Sequence, residues 1–339
     1  MLTGIVRSRR ARRKASGRRY AGSVDREHLP LAPIAADPRF GRLVPAGAVV
    51  QLLMSGATWA EGPVWLPEDG CVLWSDVPSD RVLRWSPAGD SGVLQTGAGF
   101  QNGHALDAEG RVLACEQGGR RISRRTAHGA WETVVDRVGA RRLNSPNDLV
   151  VKSDGTIWFT DPPYGIVSDW EGHRADPDLD GNFVFRVDPA SGDIDVVTTL
   201  LEEPNGLAFS PDETRLYVSD TSAVLRRDGS GNHHIVVFDV VCGRTLDNPR
   251  VLAVITPGIP DGFAIDAWGN IFTSAGDGIH LLTPDGTCLG TIPVPERVGN
   301  CTFGGAGGNR LFITASTSLY AIDLATRGAR TPRSRVRMR

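Results

Sequence analysis

The sequence has 339 residues, of which 40% are hydrophobic and 22% are charged, and its formal net charge is −2. That length suits one large domain or two average ones and can bury a sizeable core. No apolar run approaches the roughly 18 residues of a membrane-spanning helix, so we expect no membrane partner.

The near-neutral total hides an uneven distribution of charge. Residues 1–20 contain eight basic residues and no acid, and residues 327–339 contain six arginines and no acid. Removing these 14 of the 37 basic residues leaves 23 against 39 acidic ones, a net charge of −16. An acidic body lacks the basic footprint that phosphate binding needs, which argues against nucleic acid as a partner. We predict a basic tail over 1–45, one domain over 46–326 and a second basic tail over 327–339.

The chain has five cysteines, an odd number, at scattered positions. Such cysteines fit reduced thiols, mostly buried in strands, better than a disulfide framework. We therefore expect a cytoplasmic protein.

One repeating unit organises the chain from about residue 58 onwards. Its clearest copy spans 143–165, where a polar segment leads into an apolar strand, an Asp-Gly turn and a second strand rich in β-branched and aromatic residues. Six copies follow one another at roughly 40–58 residues, near the period of propeller blades. We predict an all-β fold, a six-bladed β-propeller, in which each blade is a four-stranded sheet around a central channel.

Further segments fit this fold. Residues 49–53 are predicted as a strand that completes the last blade and closes the ring, and alternating segments such as 81–85 supply outer strands. Residues 165–182 form a long loop rich in Asp, Gly and Pro, and a loop of this length in a compact domain is usually functional. We expect it to cover the mouth of the channel.

One position of the repeat faces the propeller axis in every blade, namely the residue just before the first strand. In chain order these residues are Glu61, Asn102, Asn147, Asn205, Asp261 and Cys301. Glu61, Asn147, Asn205 and Asp261 bring only oxygen donors to one small volume, which selects a hard divalent cation. We expect one ion, Ca²⁺ first, with Zn²⁺, Mn²⁺ or Mg²⁺ as alternatives. Cys301 is interpreted as apolar filler.

Other residues near this position suggest further roles. Asp261 is a candidate general base as well as a ligand, and we predict substrate contacts from Asn102, His104, Glu116 and Tyr164. Asp76, Asp161 and Asp220 recur in register at the ends of second strands. For these three aspartates we expect structural hydrogen bonds to backbone N–H groups.

At these residues the sequence resembles the SMP-30/gluconolactonase/LRE family of six-bladed propellers. The segments 59–65, 143–148, 158–165, 204–209 and 260–263 carry the resemblance. It implies that Glu61, Asn147, Asn205 and Asp261 are metal ligands, that Asp261 accepts a proton, and that Asn102 contacts the substrate. Gly103-His104 departs from the regucalcin-like pattern, so the site is more similar to the bacterial gluconolactonase branch.

The resulting hypothesis is a metal-dependent hydrolase that opens a sugar lactone, such as glucono-1,5-lactone, to the aldonic acid. The first alternative is a phosphotriester or fluorophosphate hydrolase on the same site, since both reactions stabilise an oxyanion at one cation. The second is a non-catalytic scaffold with a structural metal. The expected partner is a small molecule, and the chain is expected to be a monomer or dimer.

Overall fold

A computed structural model describes residues 32–226 and 228–329, and its regular structure is almost entirely strand. Two strands precede the first blade, β1 (Ile34–Ala35) and β2 (Gln51–Ser55). Blade one contains β3 (Ala60–Leu66), β4 (Cys71–Asp76), β5 (Arg81–Trp85) and β6 (Gly92–Thr96). Blade two contains β7 (Gln101–Leu106), β8 (Val112–Glu116), β9 (Arg121–Arg125) and β10 (Trp131–Val135). Blade three contains β13 (Leu149–Val151), β14 (Ile157–Asp161), β15 (Phe183–Val187) and β16 (Ile194–Thr198). A two-stranded ribbon, β11 (Arg137–Val138) and β12 (Arg141–Arg142), joins blades two and three.

The second half of the chain repeats the pattern. Blade four contains β17 (Pro204–Phe209), β18 (Arg215–Asp220), β19 (His234–Val241) and β20 (Thr245–Val254). Blade five contains β21 (Phe263–Ile265), β22 (Ile271–Ser274), β23 (Gly278–Leu282) and β24 (Cys288–Pro293). Blade six contains β25 (Val298–Gly304), β26 (Arg310–Ala315) and β27 (Ser318–Asp323). These strands form six antiparallel blade sheets, and this arrangement confirms the predicted six-bladed β-propeller.

The N-terminal strand closes the ring. β2 pairs with β27, with Gln51 opposite Ala321, and so becomes the fourth strand of blade six. The prediction of a closing strand at 49–53 is confirmed, and the observed strand β2 begins and ends two residues later than predicted. Joining the first strand to the last blade couples the two ends of the domain.

Part of the predicted N-terminal tail is folded, which corrects its boundary at residue 45. β1 adds a fifth strand to blade five, with Ile34 opposite Thr291. A 3₁₀ helix, Pro38–Arg42, follows and buries Phe40, and Leu43 and Val44 pack into the same core cluster. Short-range sequence patterns do not reveal this segment, because its strand has two residues and its partner lies some 250 residues away. Residues 1–31 lie outside the described part of the chain.

The core lies between the blades. Each of the six blade interfaces, including that between blades six and one, has its own cluster of buried apolar side chains. Neighbouring residues in one strand serve different interfaces: Trp158 packs toward blade four and Phe159 toward blade two. Because successive side chains of a strand point to opposite faces and both faces are covered, the strands have continuous apolar runs.

The two ends of the propeller differ. The hairpin face carries the turns between the first and second strand of each blade. The mouth face carries the connections that lead into the inner strands and those between the second and third strands of each blade. The latter include α1 (Tyr164–Val167), two 3₁₀ helices, Val77–Ser79 and Ser222–Val224, and residues 168–182. No helix in the described part of the chain is long and apolar enough to cross a bilayer.

Replacing Phe40 tests whether the segment before β2 belongs to the fold. Phe40 is 4% exposed, so Phe40→Ala should lower the free energy of unfolding by about 3 kcal/mol, measured by urea denaturation. The control is Ile34→Ala, because Ile34 is 61% exposed and its truncation should change little. If both substitutions lower the free energy of unfolding by the same small amount, the claim that this segment packs into the core is wrong.

Candidate active site

The inner strands meet around the axis through backbone contacts between blades. Gly103 N donates to Asn147 O at 2.8 Å, Gly206 N to Asp261 O at 3.0 Å and Gly262 N to Gly299 O at 2.8 Å. Side-chain hydroxyls add further links, because Ser75 Oγ donates to Asn102 O and Thr160 Oγ1 donates to Asn205 O. The axial residues of these blades, which lie at the start of each inner strand or just before it, are thereby held at one level of the channel.

Glycine makes this close approach possible. A Cβ on Gly62, whose φ is +48°, would lie 1.9 Å from Asn102 O. A Cβ on Gly299 would lie 2.2 Å from Glu61 Oε1. Since real Cβ atoms do not approach other atoms so closely, a larger residue at position 62 would push the blades apart, and one at position 299 would displace the Glu61 carboxylate.

Glu61 is a buried carboxylate. Its Oε1 accepts a hydrogen bond from Trp59 Nε1 at 3.1 Å, and its Oε2 accepts one from Gly62 N at 3.1 Å. Burial raises the pKa of Glu61 well above its usual range, and the neighbouring Asp261 carboxylate adds to the rise. The site therefore holds negative charge at a cost in stability.

Asp261 lies beside Glu61 and opposite a cationic group. Burial raises the pKa of Asp261 to about 6, although the Arg297 guanidinium and a hydrogen bond from Asn205 act in the opposite direction. Arg297 also lies over the Trp59 ring, with 5.7 Å between its Cζ and the ring centroid. Sequence analysis missed Arg297, which directly precedes β25, the inner strand of blade six.

The amide of Asn205 is oriented by its neighbours. Its Nδ2 donates to Thr221 Oγ1 at 3.1 Å, and a second side-chain hydrogen bond reaches Asp261. The Tyr164 hydroxyl is 2.7 Å from Thr221 Oγ1, so a chain of polar groups runs from Tyr164 to Asp261. Because Nδ2 is engaged with Thr221, Oδ1 is the atom available to face a ligand.

Asn102 and Asn147 differ from Asn205 in having free amides. Both residues are 5% exposed, and neither side chain forms a hydrogen bond with any residue in 32–226 or 228–329. Because a buried amide without partners is unfavourable, both side chains are suited to contact a bound ion or substrate.

The donor set is compatible with a divalent cation. Glu61 and Asp261 supply two mutually repelling carboxylates, and Asn147 and Asn205 supply neutral oxygens, which hard cations prefer. No three His, Cys, Asp or Glu side chains of the described residues form a metal site by themselves, so the asparagine oxygens are essential to such a site.

The structure places His104 on the hairpin side of the axial residues. Its Nδ1 is 2.8 Å from Gly62 O and its Nε2 is 3.2 Å from Gln101 Oε1. Burial lowers the pKa of His104 to about 4, so the ring is neutral at pH 7. Its contacts are those of a structural histidine, and they do not favour the predicted substrate contact.

Glu116 and Tyr164 are likewise engaged inside the protein. Glu116 accepts two hydrogen bonds from the Arg121 guanidinium and one from Ser123 Oγ at 2.6 Å. Tyr164 is buried and bonds to Thr221. Their polar atoms are therefore occupied, and Asn102 is the predicted substrate contact that keeps a free side chain.

The sixth axial position is Gly299 rather than Cys301, which corrects the repeat alignment. Gly299 O accepts from Gly262 N, as Asn147 O accepts from Gly103 N and Asp261 O accepts from Gly206 N. β25 has an irregular register between Val298 and Asn300, and Cys301 lies two residues beyond the axial position. Cys301 is buried and its Sγ donates to Phe272 O, in agreement with its interpretation as filler.

The long loop after α1 reaches the axis through Glu171. The charge of Glu171 contributes to the raised pKa of Glu61, and burial raises the pKa of Glu171 itself to about 7, with Asp261 adding to the rise. Packing of His173 against Phe100, with ring centroids 5.1 Å apart, holds this part of the loop. The loop therefore covers the mouth as expected, and it contributes a carboxyl group that sequence analysis did not single out.

The recurring aspartates have the expected structural roles. Asp76 Oδ1 accepts from Thr58 N and Trp59 N, Asp161 Oδ2 from Asn144 N, and Asp220 from Glu202 N and Glu203 N. Each carboxylate thus fixes the segment that leads into an inner strand of its own blade. This prediction is confirmed.

The fold and site define a class of propeller, and comparison with known proteins identifies the family. The family model for the SMP-30/gluconolactonase/LRE-like region matches residues 59–317. The chain belongs to this family.

Individual relatives agree with this assignment. The chain is 32% identical over 313 residues to a gluconolactonase of Zymomonas mobilis, covering 86% of this chain and 85% of the relative. It is 28% identical to a pentonolactonase of Haloferax volcanii, covering 86% and 99%. Among solved structures, a gluconolactonase from Xanthomonas campestris superposes with a TM-score of 0.80 at 39% identity, covering 87% of this chain and 96% of that one.

Neutralising Glu61 tests the charge conflict at the axis. In a chelator at pH 7, Glu61→Gln should raise the melting temperature by a few degrees, because it removes a buried carboxyl group that is costly to ionise beside Asp261. The pKa of Glu61 is raised in the folded state, so the wild-type protein should lose stability as pH rises above about 4.5, and the variant should lose less. Thermal unfolding between pH 5 and 8 measures both effects.

The matched control is Glu109→Gln, because the Glu109 side chain is 65% exposed and should have no such influence. A lower melting temperature for Glu61→Gln across this pH range would contradict the proposed repulsion.

Proposed function

We propose that this protein hydrolyses sugar lactones, as the names of its gluconolactonase and pentonolactonase relatives indicate for them. The observation that carries the proposal is the axial set Glu61, Asn147, Asn205 and Asp261, in a chain that shares 32% of its residues with a gluconolactonase over most of both lengths. The free amide of Asn102 at the same level suits a substrate hydroxyl.

We further propose that these four residues hold one divalent cation, with Ca²⁺ the first candidate because every donor is an oxygen atom. The bound cation would supply a Lewis acid that polarises the lactone carbonyl. Two carboxylates balance its charge, which would relieve the repulsion that raises the pKa of Glu61.

Asp261 is proposed as the general base. Its carboxylate takes a proton from a water molecule whose oxygen attacks the carbonyl carbon of the lactone. The bond between the carbonyl carbon and the ring oxygen then breaks, and the ring oxygen receives a proton, which yields the open-chain hydroxy acid. The hydrogen bond from Asn205 keeps the Asp261 carboxylate oriented.

Arg297 is proposed to assist at the mouth. Its guanidinium acts on Asp261 electrostatically and lies over Trp59, whose Nε1 donates to Glu61. A cation at this position would attract the carboxylate of the product.

The five cysteines are free in the structure, which supports the expected reducing, cytoplasmic environment.

Lactone hydrolysis tests the function directly. Acid release from glucono-1,5-lactone, measured above the spontaneous rate in a pH-stat, should disappear after chelation and return with Ca²⁺. Asp261→Asn should lower the metal-saturated rate by about 10²-fold or more, because the proton acceptor is lost.

The control for this change is Asp90→Asn, because the Asp90 side chain is 73% exposed and far from the chemistry. If Asp261→Asn keeps full turnover with bound metal, the assignment of the base is wrong. If the wild-type chain turns over no lactone with any divalent ion, a non-catalytic scaffold is favoured instead.

Thr221 tests how the site is held together. Thr221→Val removes the acceptor for Asn205 Nδ2 at nearly constant volume and should weaken Ca²⁺ binding about 10- to 100-fold, measured by titration calorimetry. Tyr164→Phe should have a smaller effect in the same direction, because Thr221 remains. Thr287→Val, an exposed position on blade five, serves as control. Unchanged affinity in Thr221→Val would contradict the orienting role.

A further inference from the structure

Glu171 is a carboxyl group of the mouth face that the proposed lactone chemistry does not use. It belongs to the loop 168–182 of blade three, and its side chain is partly buried. It is nevertheless within electrostatic reach of Glu61 in blade one and of Asp261 before the inner strand of blade five. The loop therefore carries Glu171 from blade three across to the axial site.

The turn that contains this glutamate is held firmly by its neighbours. Asp169 Oδ1 accepts a hydrogen bond from Arg174 N at 2.8 Å, which closes the turn 169–174. His173 N donates to Gly165 O at 2.9 Å. A Cβ on Gly172 would lie 2.2 Å from the same oxygen, so the two segments are in direct backbone contact. The fold thus fixes where the glutamate lies above the axis.

The Glu171 carboxyl group has no hydrogen-bond donor and no cationic partner among residues 32–226 and 228–329. Other glutamates of the mouth face differ from it. Glu202 pairs with Arg226 at 3.0 Å, and Glu296 accepts a hydrogen bond from Thr317 N at 2.6 Å. Because a partly buried carboxyl group without a donor is unfavourable, Glu171 is suited to accept a hydrogen bond from a bound molecule.

The surroundings restrict what that molecule can present. Glu61 and Asp261 are acidic, so a second anionic group would be repelled here. Glu61 and Asp261 also balance the charge of the proposed cation without help from the loop. A neutral donor, such as a hydroxyl group, satisfies a carboxylate without adding charge. The free amide of Asn102 at the axis can both donate to and accept from a second hydroxyl group.

We propose that Glu171 determines specificity for polyhydroxylated lactones, by accepting hydrogen bonds from ring hydroxyl groups of the substrate. This inference rests on the proposed function, in which the lactone carbonyl lies at the axial residues. The substrate enters from the mouth face, so its ring extends from the axis toward the loop that carries Glu171.

The same contact disfavours lactones that lack hydroxyl groups. Such a molecule would cover the Glu171 carboxylate and leave it without a donor, and a covered polar group without a partner is costly. The residue therefore acts on substrate selection in two ways, because it attracts a hydroxylated ring and penalises an apolar one.

A comparison of two lactones in excess Ca²⁺ tests this role. Glucono-1,5-lactone and δ-valerolactone have the same ring, but δ-valerolactone has no hydroxyl groups. Glu171→Ala should lower kcat/KM for glucono-1,5-lactone by about 10- to 100-fold, mainly by raising KM, because a hydrogen bond to a charged group is lost. For δ-valerolactone, kcat/KM should rise or stay within about threefold of the wild-type value.

The matched control is Asp176→Ala, which removes an exposed carboxylate of the same loop and should leave both substrates unaffected. Equal losses for the two lactones in Glu171→Ala would overturn the inference, because they would indicate a role in holding the cation or the fold. Unchanged kinetics with glucono-1,5-lactone would overturn it as well.

Binding of 1,5-anhydroglucitol separates this inference from the proposed function, because the compound has ring hydroxyl groups but no carbonyl to hydrolyse. By titration calorimetry in excess Ca²⁺, Glu171→Ala should bind it at least about 10-fold more weakly than the wild-type chain and Asp176→Ala do. Equal binding, or no binding to the wild-type chain, would overturn the role of Glu171. This measurement also decides the matter if the wild-type chain does not hydrolyse δ-valerolactone. A chain that shows the difference in binding but hydrolyses neither lactone would refute the proposed function alone.

Discussion

The close approach of the inner strands at the axis is the constraint on which the site depends. Gly62 and Gly299 allow backbone and carboxylate atoms from different blades to come within contact of one another. Glu61 and Asp261 are thereby brought together where water is largely excluded, and the pKa of each rises. The convergence of the blades therefore creates the proposed cation site, because a bound positive charge would make such a cluster of carboxylates favourable at neutral pH.

Repulsion between carboxylates at the centre must be opposed elsewhere in the ring. Six apolar clusters, one at each blade interface, supply most of that cohesion. β2 joins the first part of the domain to β27, and Phe40 anchors the preceding segment across blades five and six. Closure thus serves the site as well as the fold, since a ring that opened would let Glu61 and Asp261 separate.

The ring of axial residues also divides the channel into two chemical environments. The mouth face has charged groups, with Arg297 and Glu171 acting electrostatically on the axial carboxylates. The hairpin face has a mainly apolar cavity whose lining includes His104. Lactone binding is proposed for the first environment. One repeat supplies both, because the two ends of the same inner strand carry different residues.

The sequence by itself determined the blade count, the closing strand and the four ligand candidates, because these depend on a local unit that recurs in register. Only the tertiary structure decided which polar side chains remain free at the axis. His104, Glu116 and Tyr164 lie close to axial positions in sequence, yet each bonds to a protein group that local patterns do not bring near. The packing of Phe40 was beyond the sequence for the same reason, because it depends on contacts between segments far apart in the chain.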